Sequence, residues 1–315
     1  MKALVLAAKK SLQIRQLPEP EVLAGEVLID IQAVSIGGSE YLGYNNPGIR
    51  PLPSIMGHGI VGTTPAGQRV AVYPLTGCGE CEYCRADQQQ LCDHWSLIGV
   101  QRDGGFAQRI AVPEKAVFGL PAELSWEQAV FIEPFANSVN AWERAGATAA
   151  DSIAVIGGGS LGLGLVALAR QAGCEVVHVR DLSEQRMGVA ERLGANGRAG
   201  CEVNRYDVVF DTVGSVEARK SAVSITRKGG RCVFMGFAAA QAQLAVSEVV
   251  RQQKTLLGAF VYSTRQFEQA ITLAACCEDD WVTNVSFEEV EGCLNTYLAG
   301  NFDTVKAALR PNGEG

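Results

Sequence analysis

The sequence predicts an α/β protein in which a doubly wound parallel sheet is joined to a second, β-rich domain. Three observations carry this. From about residue 150 onward, apolar strands alternate with amphipathic helices. The first of those strands runs into a Gly-rich turn that opens a helix. The first 120 residues or so, in contrast, read as short strands punctuated by Gly and Pro. Alternating strands and helices imply parallel strands joined by right-handed crossovers. The length of 315 residues suits two domains better than one.

Taken in order, Met1 to Leu6 is too short for a secretory signal and reads as a first strand. Residues 27–34 and 69–73 are also strand-like. Ser125-Trp126-Glu127-Gln128 has the form of a capping box opening a helix. A strand is expected over 152–156, a helix from the Gly-rich turn to about Ala172, a strand over 175–179 and a helix over 183–193. Strands over 207–210 and 231–235 continue the series. The chain turns helical again after about residue 265 and ends in a strand over 304–309.

Composition narrows the function. Hydrophobic residues make up 47% of the chain, enough to bury two cores. The net charge of -7 argues against nucleic acid or an anionic membrane as a partner. No apolar run approaches the roughly 18 residues that span a bilayer, so a cytoplasmic location follows by default. The expected partner is a small-molecule substrate. Of the ten cysteines, Cys174, Cys201, Cys232, Cys276, Cys277 and Cys293 are scattered through apolar segments and read as small core residues. The other four crowd into Cys78-x2-Cys81-x2-Cys84-x7-Cys92. Four thiolates at these spacings close a tetrahedral shell around one Zn²⁺ and leave no open position, which makes a structural site. Unmetallated or paired cysteines are the alternative.

The Gly-rich turn is Gly157-Gly158-Gly159-Ser160-Leu161-Gly162, a G-x-G-x-x-G fingerprint between a strand and a helix. Gly157 permits the tight turn, Gly159 lets the backbone approach a pyrophosphate, and Gly162 lets helix and strand pack closely. Ser160 and Leu161 open the helix, whose N-terminus offers N–H groups to the phosphates. Asp181 follows 19 residues after Gly162, at the end of the second strand, where a carboxylate accepts bonds from the adenosine ribose. A carboxylate there repels a 2′-phosphate, so NAD(H) is favoured over its phosphorylated form. Arg180 and Arg186 flank it. The bland alternative is an ordinary βα turn followed by a helix-capping Asp.

These features in this order resemble the medium-chain dehydrogenase/reductase superfamily, in its zinc-containing alcohol and polyol dehydrogenase branch. Gly57-His58, Asp103-Gly104-Gly105-Phe106-Ala107, Glu133-Pro134 and Asp211-Thr212-Val213-Gly214 add to the likeness. The resemblance implies a GroES-like catalytic domain over 1–136 and 266–315, with a zinc lobe at 76–95, interrupted by a Rossmann domain over 137–265. It implies that Val213, Gly236, Val261 and Arg186 join the glycine turn and Asp181 around the nicotinamide cofactor. It also implies a homodimer or homotetramer, with 255–261 as an edge strand seeking a partner.

The same resemblance exposes a departure. The family holds a catalytic zinc with a Cys, a His and a later Cys or Glu. The matching positions here are Gly37, His58 and Glu133, and the Glu of the family's G-H-E segment is Gly59. The acidic residue that steadies the His is Glu40. Either Glu40 reaches the space left at Gly37 and completes a zinc site with His58 and Glu133, or no catalytic metal binds and His58 works as an acid/base oriented by Glu40 or Glu133. Ser39 matches the hydroxyl that relays the alcohol proton, or it caps a helix. His94 and His178 read as surface and structural residues. Three functions are compatible with this pattern: NAD-dependent oxidation of a secondary alcohol such as a polyol, sugar or cyclitol, or the reverse reduction; zinc-free NADH-dependent reduction of an activated C=C or C=N bond; or cofactor binding without catalysis.

Overall fold

The computed structural model describes residues 1–313, and the chain divides into two compact units. One comprises Met1–Glu133 together with the chain from Ser263 on, and the other comprises Pro134–Tyr262.

The first unit is built on one long strand, Glu26–Ile36. The first half of that strand alternates in burial, as a half-exposed antiparallel strand should, and its last residues are all buried. Arg109–Pro113 pairs with its first half, Gly59–Thr63 runs along it, and Lys306–Leu309 pairs with its end, all antiparallel. The sheet continues through Arg69–Val72 to Val117–Gly119 on one side and to Val282–Val285 on the other. Two registers position the polar cluster of this unit: Ser35 lies opposite Gly59, and Ile36 lies opposite Ala307. Continuing them by one residue brings His58, Gly37 and Lys306 to the same end of the sheet. The apolar side is filled by residues such as Leu6, Ile29, Ile31, Phe106, Val112 and Leu309. The helix Gly38–Asn45 starts directly after the long strand. The capping box at Ser125 forms, with Ser125 Oγ accepting from the Gln128 N–H and Gln128 Oε1 accepting from the Ser125 N–H. The cysteine lobe rests on a two-stranded base, Leu75–Thr76 against Ser96–Leu97.

The second unit is a six-stranded parallel sheet. Its order is Gly197–Arg198, Val177–Arg180, Ile153–Ile156, Tyr206–Asp211, Thr226–Phe234, Thr255–Gly258. Numbered along the chain within the unit, this is 3-2-1-4-5-6, the doubly wound Rossmann order with its reversal between the first and fourth strands. All four residues of Ile153–Ile156 are buried, as expected of a strand covered on both faces. The helices Ser160–Ala172 and Glu184–Arg192 lie where the apolar periodicity placed them. The expected edge strand over 255–261 is shorter. Pairing stops at Gly258, and Val261 takes a left-handed conformation with φ of 53°. The side chain of Asn140 accounts for this departure, since its Nδ2 donates to the carbonyls of Phe260 and Val261 and pulls the backbone away from the ladder. Among the described residues no helix is long and apolar enough to cross a membrane.

The tightest backbone approach in this unit is at the first turn. A Cβ at Gly162 would run into the carbonyl oxygen of Gly157. Gly162→Ala is therefore expected to lower stability by about 1–3 kcal/mol, the usual range for overpacking. Thermal or urea unfolding of the variant beside the parent protein checks this, and an unchanged midpoint would show that the turn relaxes without strain.

Candidate functional site

The Gly-rich turn, Asp181, Val213, Gly236 and Val261 all follow the C-terminal ends of strands in the parallel sheet, at the edge where open α/β sheets bind ligands. Gly157 has φ of 104°, and a side chain on it would strike Thr212 and Val213. At Gly159 a Cβ would meet only the tip of Arg186, at 3.5 Å, so this corner of the cradle is lined by a movable side chain rather than by backbone. Asp181 is fixed by two backbone donors. Its Oδ2 accepts from the Gly158 N–H at 2.7 Å and its Oδ1 from the Ser183 N–H at 2.9 Å, while Arg186 Nη1 stands 4.0 Å from Oδ2. Ser183 caps the following helix, with its Oγ accepting from the Arg186 N–H. Asp211, fully buried, accepts from the Val213 and Gly214 N–H groups at 3.0 and 2.8 Å and so shapes the neighbouring turn. That turn in turn abuts Gly236, where an added Cβ would collide with the Val213–Gly214 peptide. A cradle this closely bounded by backbone, with a held carboxylate at its far side, fits a dinucleotide.

In the first unit, His58, Glu40, Glu133 and Ser39 come together. Glu40 lies in the first turn of the helix Gly38–Asn45 and is 1% exposed; His58 is 6% exposed. The His58 Nδ1 and Glu40 Oε1 atoms form an ion pair at 2.7 Å, off the line of a hydrogen bond. Glu40 Oε2 accepts from the Gly37 N–H at 2.9 Å and from Ser39 Oγ at 3.3 Å. The other ring nitrogen, Nε2, faces Glu133 Oε1 at 3.6 Å and Ser39 Oγ at 3.4 Å. Burial alone would lower the pKa of His58. The carboxylates of Glu40 and Glu133 outweigh it and push it up to about 10. Burial would raise both carboxyls, yet His58 holds each below the usual carboxylate range. Lys306 lowers both as well, and Arg50 lowers Glu40.

Lys306 is the residue that the reading of the sequence overlooked. It opens the strand Lys306–Leu309, in which all four residues are buried, and is itself 2% exposed. A lysine inside the otherwise apolar Val305-Lys306-Ala307-Ala308-Leu309 was the available signal, because a lysine is almost never fully buried unless paired.

The catalytic zinc of the resemblance does not fit these residues. A catalytic zinc takes three protein ligands and a fourth, exchangeable one. His58 Nε2 and Glu133 supply two corners. The third corner is Gly37, and Glu40 does not repair it, because both its oxygens are engaged with His58 Nδ1, the Gly37 N–H and Ser39. The place where a Gly37 side chain would begin lies 3.6 Å from Lys306 Nζ. Nor can the acid of the G-H-E segment simply be restored, since a Cβ at Gly59 would press on the short side chain of Ser35 and lie 3.3 Å from Glu133 Cβ. Among the described residues, the group of three or more His, Cys, Asp or Glu with metal-ligand spacing is the cysteine lobe.

There the fit is good. The ligating atoms of Cys78, Cys81, Cys84 and Cys92 all lie within 4.8 Å of one another, and Cys78 Sγ and Cys84 Sγ are 3.9 Å apart. Two thiolates on a tetrahedral zinc with Zn–S of about 2.3 Å stand roughly 3.8 Å apart. Backbone N–H groups of Cys78, Cys81, Cys84 and His94 point at the sulfurs of Cys92, Cys78, Cys81 and Cys92, spreading thiolate charge over the loop. Backbone donors also bring the Cys78 thiol down to about 6. His94 is exposed beside the lobe, and His178 Nδ1 bonds Tyr206 Oη at 2.9 Å between two strands of the other unit.

Two outcomes are expected. Cys81→Ser should lose the zinc bound in the lobe and unfold at a lower temperature; metal analysis beside a thermal melt checks it, and an unchanged zinc content would remove the lobe as the site. The second concerns pH. The His58 pKa is raised from 6.5 on folding, so its stabilisation is complete below about pH 6.5 and fades as pH rises toward 10. The stability gap between the parent protein and His58→Gln should therefore narrow over that window in urea titrations, and a gap constant from about pH 6 to 10 would contradict the ion-paired state.

Comparison with known proteins agrees with this architecture. Residues 23–122 match the profile of the alcohol dehydrogenase GroES-like domain, and residues 198–275 that of the zinc-binding dehydrogenases. Sorbitol dehydrogenase of Bacillus subtilis strain 168 is 30% identical over 99% of this chain and 98% of its own. L-galactonate-5-dehydrogenase of Escherichia coli K12 is 31% identical over 82% of each chain. Among solved structures, acetophenone reductase of Geotrichum candidum in complex with NAD superposes with a TM-score of 0.90 at 21% identity, over 98% of this chain and 97% of that one. With its glycine turn, its four-cysteine lobe and a full-length relative at this identity, the chain belongs to the zinc-containing alcohol and polyol dehydrogenase branch of the medium-chain dehydrogenase/reductase superfamily.

Proposed function

We propose that the protein is an NAD(H)-dependent oxidoreductase that moves a hydride between the nicotinamide and a secondary alcohol or ketone of polyol, sugar or cyclitol type. The observation that carries this is the glycine turn with Asp181 anchored across it, which suits an adenosine ribose bearing a 2′-hydroxyl. Sorbitol and L-galactonate, the substrates named for two relatives, set the class of substrate. When bound, the nicotinamide supplies or accepts the hydride. The proton is the business of His58, Ser39, Glu40 and Glu133. In the reducing direction the substrate carbon gains the hydride, its oxygen takes a proton through Ser39, and His58 gives up one proton to replace it. Oxidation runs the same steps backward. Glu40 holds the ring through Nδ1 and keeps Nε2 toward Ser39; Glu133 favours the charged ring. A histidine held protonated favours the carbonyl-reducing direction.

The missing third metal corner also supports a second reading, reduction of an activated C=C or C=N bond, where a conjugated acceptor needs less electrophilic help. A panel of ketoses, polyols, enones and imines with NADH and NADPH separates the two. On the favoured reading, His58→Ala cuts turnover by about 10²–10⁴-fold, the usual worth of a general acid/base, with NADH affinity within a few-fold of the parent. Asp181→Ala narrows the preference for NADH over NADPH by about 10-fold or more, through loss of charge-assisted ribose bonds. Full turnover in His58→Ala sinks the assignment of this cluster, and equal affinity of the unaltered protein for both cofactors sinks that of Asp181.

The protein is further proposed to be cytoplasmic and to form a homodimer or homotetramer through the edge strand Thr255–Gly258, which among the described residues has a strand partner on one side only. Light scattering at micromolar concentration should give at least twice the mass of one chain; a single-chain mass rejects this.

A further inference from the structure

The register of the first unit's sheet sets Lys306 across from Gly37, the position from which a metal-binding side chain would have to reach. The lysine side chain turns into the buried cluster, and Nζ lies 3.6 Å from the point at which any Gly37 side chain would begin, with Glu40 Oε2 at 3.7 Å from the same point. The two carboxylates, Glu40 and Glu133, thus have Lys306 as a cationic neighbour besides His58, and Glu40 has Arg50 as well. A buried charge survives when it is matched and becomes costly when it is not. A dication reached by a Gly37 side chain would also stand close to that ammonium, and like charges repel strongly away from bulk water.

From this we infer that the Lys306 ammonium stands in this chain at the corner from which a third metal ligand would have to reach, so that the cluster of Glu40, His58 and Glu133 is complete with no second zinc. Lys306 is a positioning residue: its charge favours the ionised form of both carboxylates, beside the larger share from His58 and, at Glu40, from Arg50. The inference rests on the reading of His58 as the proton carrier, but it makes a separate claim, about metal content rather than turnover.

The test is a zinc count on full-length protein equilibrated with zinc and then freed of excess. The unaltered protein should hold one zinc per chain, and Cys81→Ser none. Gly37→Cys alone should stay at one, because the new thiolate meets the ammonium first. Gly37→Cys with Lys306→Ala should rise toward two, its second zinc held on the order of 100-fold more tightly than any in Gly37→Cys. Cobalt in place of zinc distinguishes the sites, since the absorption of a four-thiolate site differs from that of a mixed site. Lys306→Arg, which keeps the charge, should remain at one zinc and melt near the parent, whereas Lys306→Gln should melt lower. Two zincs per chain in the unaltered protein, or a second zinc as tight in Gly37→Cys as in the double variant, overturns the inference. These counts do not depend on substrate, so a failure of the His58 reading would appear instead as turnover retained in His58→Ala with the zinc count unchanged.

Discussion

Two carboxylates with little exposure, Glu40 fully buried and Glu133 nearly so, constrain everything around His58. Neither can stay ionised in an interior of low dielectric without positive charge within a few ångströms, since water no longer screens it. In this chain the compensation comes from an imidazolium between them, from Lys306 on a neighbouring strand and, at Glu40, from Arg50. This constraint explains several local features together. Glu40 sits in the first turn of a helix, where its Oε2 also accepts the Gly37 N–H. The place where a Gly37 side chain would begin lies in contact with Lys306 Nζ and Glu40 Oε2, so a longer side chain there would meet both. Gly59 lacks a side chain because Ser35 and Glu133 are already there.

The nucleotide cradle solves a different problem by different means. Its precision comes from backbone rather than from ions. Glycines at 157, 162 and 236 let peptide groups approach to distances at which any Cβ would collide, and Asp211 and Asp181 tie the surrounding turns through N–H bonds. Such a cradle is stiff because each turn is braced by its neighbour, which suits a cofactor whose phosphates are read by backbone amides. The cysteine lobe is a third solution. A stretch with almost no apolar burial of its own is given shape by four sulfurs gathered on a two-stranded base, and a metal closed in by four thiolates has no position to offer a substrate.

Legibility in the sequence tracks how local each feature is. The strand, glycine turn and helix from Ile153 to Ala172 are contiguous, and so is the spacing from Cys78 to Cys92; both are readable from periodicity and residue type alone. The capping box at Ser125 is legible for the same reason. The edge strand reads three residues too long, because the side chain that ends it, Asn140, lies more than a hundred residues upstream. The expectation that Glu40 completes a metal site fails for a related reason. The sequence places Glu40 close to Gly37, but the direction of its carboxylate is set by His58, which arrives on another strand.

The amino-acid sequence by itself determined the family, the two kinds of domain, the dinucleotide fingerprint and the four-cysteine lobe, since each depends on residues near one another along the chain. It also determined that the metal-ligand pattern was incomplete. What takes the place of the missing ligand was decided only by the tertiary structure. Lys306 is about 270 residues beyond Gly37 and meets it because the last strand returns to pair antiparallel with the end of Glu26–Ile36, Ala307 against Ile36. Strand pairing between such distant segments follows from the burial of whole sheet faces and from register, which no short window of sequence contains.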